Sequence, residues 1–101
     1  TLLRLQPQPT AIIGGNDLTA IGAINRIQQH GLVVGRDISV GGFDDIPLST
    51  HSHPPLTTIS QMQENIGRKA AEMIFERIDG TVPEKPRLVE MPFELIIRES
   101  A

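Results

Sequence analysis

Two polar side chains follow short apolar segments at points where a small molecule could meet them. Asn16 comes after the apolar residues 10–14, and Asp44 comes after residues 38–43. If both segments are parallel strands, the two side chains lie at the carboxyl edge of one sheet, where open α/β sheets bind ligands. A carboxylate accepts hydrogen bonds from hydroxyl groups and an amide both donates and accepts, which suits a sugar. In the simpler alternative, Asn16 is only a helix cap and Asp44 only a turn residue.

The other reactive side chains do not predict an enzyme. Asp44 and Asp45 are adjacent, so in an extended segment they point to opposite faces and converge poorly as a catalytic pair. No serine has the context of a nucleophile elbow. His51 and His53 lie in a polar segment, but zinc requires three or four fixed ligands, so we expect solvated histidines. The sequence predicts neither a catalytic centre nor a bound metal or cofactor.

The composition limits the classes of partner. The 101 residues carry a net charge of −3 and their basic residues are scattered, whereas DNA-binding modules usually carry a basic face. Tyr and Trp are absent, which removes the usual stacking platforms for single-stranded nucleic acid. No apolar run reaches the roughly 20 residues of a membrane span, and the lack of cysteine fits a cytoplasmic protein. We expect one small domain that contacts neither nucleic acid nor a membrane directly.

The hydrophobic pattern of the first half predicts a strand, a helix and a second strand. Residues 10–14 form a short apolar segment bounded by proline and glycine, which is typical of a buried strand. Asn16 occupies an N-cap position, large aliphatic residues then recur every three positions, and Gly31 ends the helix after about His30. Residues 38–43 form the second strand. These elements make a βαβ unit with parallel strands and a right-handed crossover, so the fold class is α/β.

The middle of the chain predicts a loop and an extended segment. Residues 44–55 are rich in Asp, Ser, His and Pro, a composition typical of a loop. Residues 56–59 then form a short extended stretch, and Ser60 with Gln63 matches a capping box at the start of a helix.

The last part of the chain predicts a long helix and two strands. The helix covers about residues 61–79, and glycine at position 80 ends it. Short strands are predicted at 87–91 and 94–98, with Pro92 between them. The side chains that the helix is expected to bury are Ile66, Ala70, Met73, Ile74 and Ile78.

Seven different short motifs follow one another along the chain, and together they resemble those of the LacI/GalR family of bacterial transcriptional regulators. No single motif is specific for this family, but the order and spacing of all of them over nearly the whole chain are specific for it. The resemblance implies a fold like that of periplasmic sugar-binding proteins, in which two α/β lobes close around a small molecule. The motifs are Pro9–Ile13 with Asn16-Asp17, Ala20-x-Gly22-Ala23, Gly31-Leu32, Asp37–Asp45, Pro54–Ile59 with Gln61, Gly67-x-x-Ala70 and Leu95–Ser100.

The resemblance also divides the chain between the two lobes. Residues 1–58 would form the second half of the C-terminal lobe, which binds effector and dimerises, and residues 59–61 an interlobe hinge crossover. Residues 62–101 would return to the N-terminal lobe as a helix and strands. The helix-turn-helix that reads DNA in this family would lie outside the chain.

By resemblance, effector contacts fall on Asn16, Asp44 and Gln61, although Gln61 could also be an exposed first-turn residue. The expected partners are a sugar or related metabolite, a second copy in a homodimer or a tetramer, and operator DNA through the absent helix-turn-helix. The resulting function is effector sensing by a cytoplasmic repressor that switches its interlobe angle. The alternative is a periplasmic sugar-binding protein of a transporter. The resemblance places candidates for the subunit interface on Ile21, Ile24, Asn25, Leu48, His51 and Ser52. Ile21 and Ile24 could equally belong to the core, and only one of the two need face outward.

Overall fold

The computed structural model describes residues 2–82 and 84–101, which contain one mixed sheet and three α-helices. A short 3₁₀ turn, Leu2–Arg4, precedes the first strand. In chain order the elements are β1 (Ala11–Ile13), α1 (Asp17–Gln29), β2 (Ser39–Phe43), α2 (Pro47–His51), β3 (Thr57–Ser60), α3 (Gln63–Ile78) and β4 (Glu94–Ile96).

The sheet has the order β1-β2-β3-β4, with three parallel strands and one antiparallel strand. Ile12 pairs with Val40, which fixes the register of β1 on β2. β3 adds in parallel to β2, and β4 then runs antiparallel to β3. This topology confirms the predicted α/β class and the parallel βαβ unit. The predicted helix boundaries of α1 are also confirmed, because Asn16 is the N-cap and Gly31 follows the helix with a φ of 76°.

The hydrophobic core lies between α1 and one face of the sheet. Gly14 permits the close approach of these two layers, since a Cβ atom there would lie 2.7 Å from the backbone nitrogen of Ala20. Burial of each large aliphatic side chain stabilises the fold by about 1.5–3 kcal/mol. The core residues are Ala20, Ile24, Ile27, Val34, Ile38, Val40 and Leu56.

The segment predicted as a loop contains the short helix α2, so that prediction is wrong in its middle. Pro47 stands at the start of α2, where its fixed φ suits a helix and its missing N–H costs no hydrogen bond. The Ser, Thr and His content of this segment is typical of loops, and no hydrophobic period marks one turn of helix.

The capping box is also wrong. Ser60 is the last residue of β3 and pairs with Glu94 of β4, so it is extended rather than a helix cap. α3 begins at Gln63, two residues later than predicted, after Met62 in the left-handed conformation with a φ of 50°. Pairing with a strand more than thirty positions away extended β3, which the local pattern did not predict.

The predicted burial of α3 is wrong for this chain. None of its residues is buried: Ile66 and Met73 are partly covered, and Ala70, Ile74 and Ile78 are exposed. Residues 87–91, predicted as a strand, form no regular structure. Arg87 pairs with Glu76 of α3 at 2.8 Å, and Val89 and Met91 line a cavity together with Ile66, but these contacts bury no residue of the helix. The chain is therefore elongated, with extents of 59 × 27 × 17 Å, and the apolar side of α3 lacks a covering layer in the described residues.

The end of the chain returns to the first half of the molecule. The Ser100 hydroxyl donates to the Val40 carbonyl oxygen at 2.6 Å and accepts from the Thr57 backbone N–H at 2.8 Å. The Ser100 backbone N–H also donates to the Pro55 carbonyl oxygen at 3.1 Å. The lobe boundaries stay a prediction, but these contacts favour grouping residues 98–101 with 1–58 rather than with the segment that begins at 62.

Within the part of the chain that the structure describes, no helix is long and apolar enough to cross a membrane.

Candidate ligand-binding site

Asp44 and Gln61 meet at the carboxyl edge of the sheet. Asp44 follows β2 and Gln61 follows β3, and these two strands are hydrogen-bonded neighbours. The Gln61 amide nitrogen, Nε2, donates to Asp44 Oδ1 at 2.9 Å. Both residues are partly buried. The structure thus brings together two of the three predicted ligand residues, one from the first half of the chain and one from the predicted hinge.

A second glutamine, which the sequence reasoning missed, holds the backbone of Asp44. Gln63 Nε2 donates to the Asp44 carbonyl oxygen at 2.7 Å from the first residue of α3. Gln61 and Gln63, which flank the left-handed Met62 in sequence, therefore both donate hydrogen bonds to Asp44. The only sequence signal was a glutamine on each side of Met62. This pattern does not predict that Gln63 bonds to a residue nearly twenty positions earlier.

Backbone strain is concentrated at this edge of the sheet. Asp44, Asp45 and Met62 have φ values of 112°, 54° and 50°, and they are the non-glycine residues with positive φ in the described chain. Such conformations cost on the order of 1–3 kcal/mol each and persist where surrounding contacts impose them. The strained turn at Asp44 and the strained start of α3 face each other across the Gln61 and Gln63 hydrogen bonds.

Asn16 acts as a helix cap, as one of its two interpretations predicted. Its side-chain oxygen accepts from the Thr19 backbone N–H at 2.9 Å, and the residue is exposed at the end of β1. Among the described residues, no hydrogen bond joins Asn16 to Asp44 or Gln61. Its role in ligand contact stays a prediction, based on its position at the carboxyl edge of the sheet.

Asp17 is a fully buried carboxylate, although in the sequence it was noted only as part of the Asn16-Asp17 motif. One oxygen accepts from the Thr58 hydroxyl, and the other accepts from the Ser49 hydroxyl and from the Ile46 backbone N–H at 2.9 Å. These donors come from β3, from α2 and from the residue before it. Asp17 therefore ties the start of α1 to the segment that follows the Asp44 turn. No local pattern could predict partners so distant in sequence.

Asp45 has a different partner from Asp44. Its Oδ1 accepts from Arg98 Nη2 at 2.7 Å, and Arg98 Nη1 donates to the Leu56 carbonyl oxygen at 2.8 Å. The two adjacent carboxylates are thus held by separate groups, Arg98 for one and Gln61 for the other. This geometry agrees with the interpretation that they do not form a catalytic pair.

A largely apolar cavity of about 440 Å³ opens beside the Asp44–Gln61 pair. Gln61 contributes an uncharged polar side chain to a wall that is otherwise apolar, an arrangement typical of small-molecule sites. The lining residues are Phe43, Ile59, Gln61, Ile66, Val89, Met91, Pro92 and Phe93.

The residues predicted for a subunit interface divide into two groups. Asn25, Leu48 and His51 are exposed, and Ile21 packs partly against the core. Ile24 is only 1% exposed and belongs to the core, so its assignment to the interface is corrected. Ser52 is buried too, with its hydroxyl 3.0 Å from the carbonyl oxygens of Ser49 and Pro54, and it supports the turn rather than offering a contact surface.

The histidines of this region do not assemble a metal site with other side chains. In residues 2–82 and 84–101, no three His, Cys, Asp or Glu side chains lie close enough to hold an ion. His51 and His53 are both exposed.

The chain resembles known proteins over nearly its whole length. Residues 1–101 match the family model of the periplasmic binding protein-like domain. Over 99 residues the chain is 43% identical to the HTH-type transcriptional repressor PurR of Aliivibrio salmonicida, covering 98% of this chain and 29% of that protein. The complex of the transcriptional regulator CelR with cellobiose matches with a TM-score of 0.90 at 33% identity, over 98% of this chain and 30% of that chain.

The lac repressor dimer bound to operator and the anti-inducer ONPF also matches, at 37% identity and a TM-score of 0.82, over 91% of this chain and 27% of that chain. The present chain thus spans less than a third of each of these relatives. They are transcriptional regulators and not enzymes, which confirms the prediction of a non-enzymatic chain. By its sheet topology and by these matches, the chain belongs to the periplasmic binding protein-like domain family, in the form found in LacI-type transcriptional regulators.

Proposed function

We propose that the chain is part of the effector-sensing and dimerising region of a bacterial transcriptional repressor, and that the effector is a sugar or a related metabolite. The observation that carries this proposal is the Asp44–Gln61 pair at the carboxyl edge of the sheet, beside an apolar cavity. The similarity to repressors supports the regulator over the alternative of a transporter's periplasmic sugar-binding protein.

The hydrogen-bonding capacity of the pair favours a ligand with hydroxyl groups. Gln61 uses its amide nitrogen on Asp44 Oδ1, so its own oxygen is left to accept. In the described residues no hydrogen bond reaches Asp44 Oδ2, which is also an acceptor. Two acceptors side by side suit two neighbouring donors, as in a sugar diol. The apolar wall would pack against the C–H face of the ring.

The proposed mechanism is a shift between two interlobe angles. Effector bound between the lobes contacts Asp44 of the C-terminal lobe and Gln61 within the predicted hinge. Because the Gln61 and Gln63 bonds tie the Asp44 turn to the start of α3, a ligand that reorganises them changes the position of α3. The two states must differ in effector affinity for such a switch to work. A dimer would transmit the change to helix-turn-helix domains outside this chain, in the cytoplasm where operator DNA lies.

The ligand role is tested by calorimetry on the full-length protein. A thermal-shift screen of mono- and disaccharides identifies a binder, and its affinity is then measured for the wild type and for Asp44→Ala. We expect a loss of roughly 10-fold to 150-fold, because a hydrogen bond to a charged group contributes about 1.5–3 kcal/mol. The exposed Asp79→Ala variant, at the end of α3, is the control and keeps the affinity. Unchanged affinity in Asp44→Ala would remove this residue from the site.

The dimer is tested separately, on the exposed apolar side chain of the predicted interface. Leu48 is 48% exposed next to the exposed Thr50 and His51. We expect Leu48→Glu to dissociate the full-length dimer in sedimentation experiments, because it introduces a charge into an apolar contact. Val33→Glu, at an apolar residue that is similarly exposed at 45% and lies outside the predicted interface, is the control. A dimer that survives Leu48→Glu would contradict the assignment.

A further inference from the structure

We infer that Arg98 is a positioning residue for the candidate site: through Asp45 it holds the strained turn that presents the Asp44 carboxylate. The inference rests on the proposed effector-binding function of Asp44. It adds a residue from the far end of the chain, which contacts neither the cavity nor the Asp44 side chain.

The Arg98–Asp45 ion pair is the most enclosed in the described part of the chain. Its N–O distance is 2.7 Å, and the side chains are 18% and 24% exposed. The pair between Arg36 and Asp37, by contrast, has a guanidinium that is 72% exposed. Shielding from water strengthens a charge interaction, so Arg98 and Asp45 are coupled more strongly than the surface pairs.

Arg98 is itself fixed firmly enough to act as an anchor. Its backbone N–H donates to the Thr57 hydroxyl oxygen at 2.8 Å, and that hydroxyl donates to the Arg98 carbonyl oxygen at 3.1 Å. Its guanidinium also donates to the Leu56 carbonyl oxygen. Leu56 belongs to the core and Thr57 to β3, so the guanidinium projects from the rigid part of the sheet.

Asp45 needs such an anchor because of its backbone conformation. Asp44 and Asp45 both have positive φ, which a non-glycine residue keeps only when its surroundings impose it. Gln61 and Gln63 hold Asp44, and Asp17 holds the backbone N–H of Ile46. Arg98 holds Asp45, the residue between Asp44 and Ile46. Without it, a half-buried carboxylate is left without its countercharge, the turn relaxes, and the Asp44 carboxylate leaves the position set by Gln61.

The test compares Arg98→Met with Arg36→Met in the full-length protein. Both variants remove a guanidinium from an ion pair with an aspartate, but only one pair touches the strained turn. Calorimetry uses the saccharide selected by the thermal-shift screen. We expect affinity to fall at least 10-fold in Arg98→Met and to stay unchanged in Arg36→Met. Arg98→Lys, which keeps the charge but not the two-pronged contact, recovers part of the loss.

A double-mutant cycle and a crystal structure separate positioning from general damage. If Arg98 acts through Asp45, Asp45→Asn with Arg98→Met binds no more weakly than the worse single variant. In crystals of Arg98→Met we expect the Gln61–Asp44 hydrogen bond of 2.9 Å to be broken. A folded Arg98→Met or Asp45→Asn protein with wild-type affinity would overturn the inference. If no saccharide binds the wild type, the sugar proposal fails, and the crystal structure alone then decides: an intact Gln61–Asp44 bond overturns the positioning role.

Discussion

The helices α1 and α3 have similar amphipathic sequences but opposite surroundings. α1 covers the sheet and buries Ala20, Ile24 and Ile27, whereas α3 buries no residue and exposes Ile74 and Ile78. An apolar stripe shows that a helix needs a partner, but it does not show whether the partner lies in the same chain. Under the predicted division of the chain, in which residues 62–101 return to the N-terminal lobe, we expect that lobe to cover α3 in the full-length protein.

The largest expected effect concerns the acidic residue in the first turn of each helix. Asp17→Ala leaves three donors without an acceptor, and at about 1–3 kcal/mol each the summed loss is about 3–9 kcal/mol. Glu64→Ala removes only an exposed pair with Arg68 and changes stability by less than about 0.5 kcal/mol. Urea unfolding of the full-length variants measures both. A loss below about 1 kcal/mol for Asp17→Ala would contradict the importance of the buried carboxylate.

The next largest change in the free energy of unfolding is expected for isoleucine-to-alanine substitutions at matched positions of the two helices. Ile24→Ala opens a cavity in the core and is expected to cost about 3 kcal/mol. Ile74→Ala is expected to change the stability of the isolated chain by less than about 0.5 kcal/mol, because Ile74 is 60% exposed there. In the full-length protein the two costs should become similar. An Ile74→Ala variant that remains neutral there shows that the N-terminal lobe does not cover this face.

Replacing each of two glycines by alanine is expected to change the stability in opposite directions. A Cβ atom at Gly42 of β2 would collide with Asp17 Oδ1 and lie 2.8 Å from Leu56 Cδ2, so Gly42→Ala is destabilising. The expected cost is about 2 kcal/mol, as for overpacking in a core. Gly67 of α3 has open space around it, and Gly67→Ala should stabilise the helix by about 0.8 kcal/mol. Thermal unfolding of the isolated chain distinguishes the two variants, and shifts of the melting temperature in the same direction would refute the contrast between the packed contact of α1 with the sheet and the open surface of α3.

The smallest expected effect is a pH-dependent contribution to stability from Asp37, in the turn between α1 and β2. The hydrogen bond from Arg36 lowers the pKa of the Asp37 carboxyl, and the Val33 backbone N–H acts in the same direction. Because the folded pKa lies below the unfolded one, this contribution is present at neutral pH and is lost as the pH falls through the folded value, below about pH 4. An NMR titration should show a higher Asp37 midpoint in Arg36→Met than in Arg77→Met. Equal midpoints would contradict this cause.

Local signals predicted the first half of the fold because its boundaries are made by neighbouring residues. Asn16 caps α1 through Thr19, and Gly31 ends it, so a short window of sequence contains both contacts. The single turn of α2 and the extension of β3 to Ser60 depend on partners elsewhere in the chain, and the local pattern missed both.

The candidate site was predictable in its position but not in its supporting contacts. The carboxyl edge of a parallel sheet indicated Asp44, and the family resemblance added Gln61. The contacts of Asp17, Gln63 and Arg98 join residues between 19 and 53 positions apart. Their types are common on any surface, so only the folded geometry distinguishes them from solvated side chains.

The hydrogen bonds of Ser100 have a consequence for synthesis of the protein. Its hydroxyl bonds to Val40, which is 60 residues earlier, and its carbonyl oxygen accepts from the Val40 backbone N–H at 2.7 Å. The ribosome makes the chain from its amino end, so the backbone groups of Val40 that bond to Ser100 stay unpaired until residue 100 leaves the exit tunnel. Until then the nascent sheet keeps an unpaired stretch that another chain could occupy. Protection of that stretch by a chaperone would therefore matter most between the emergence of β2 and the emergence of residue 100.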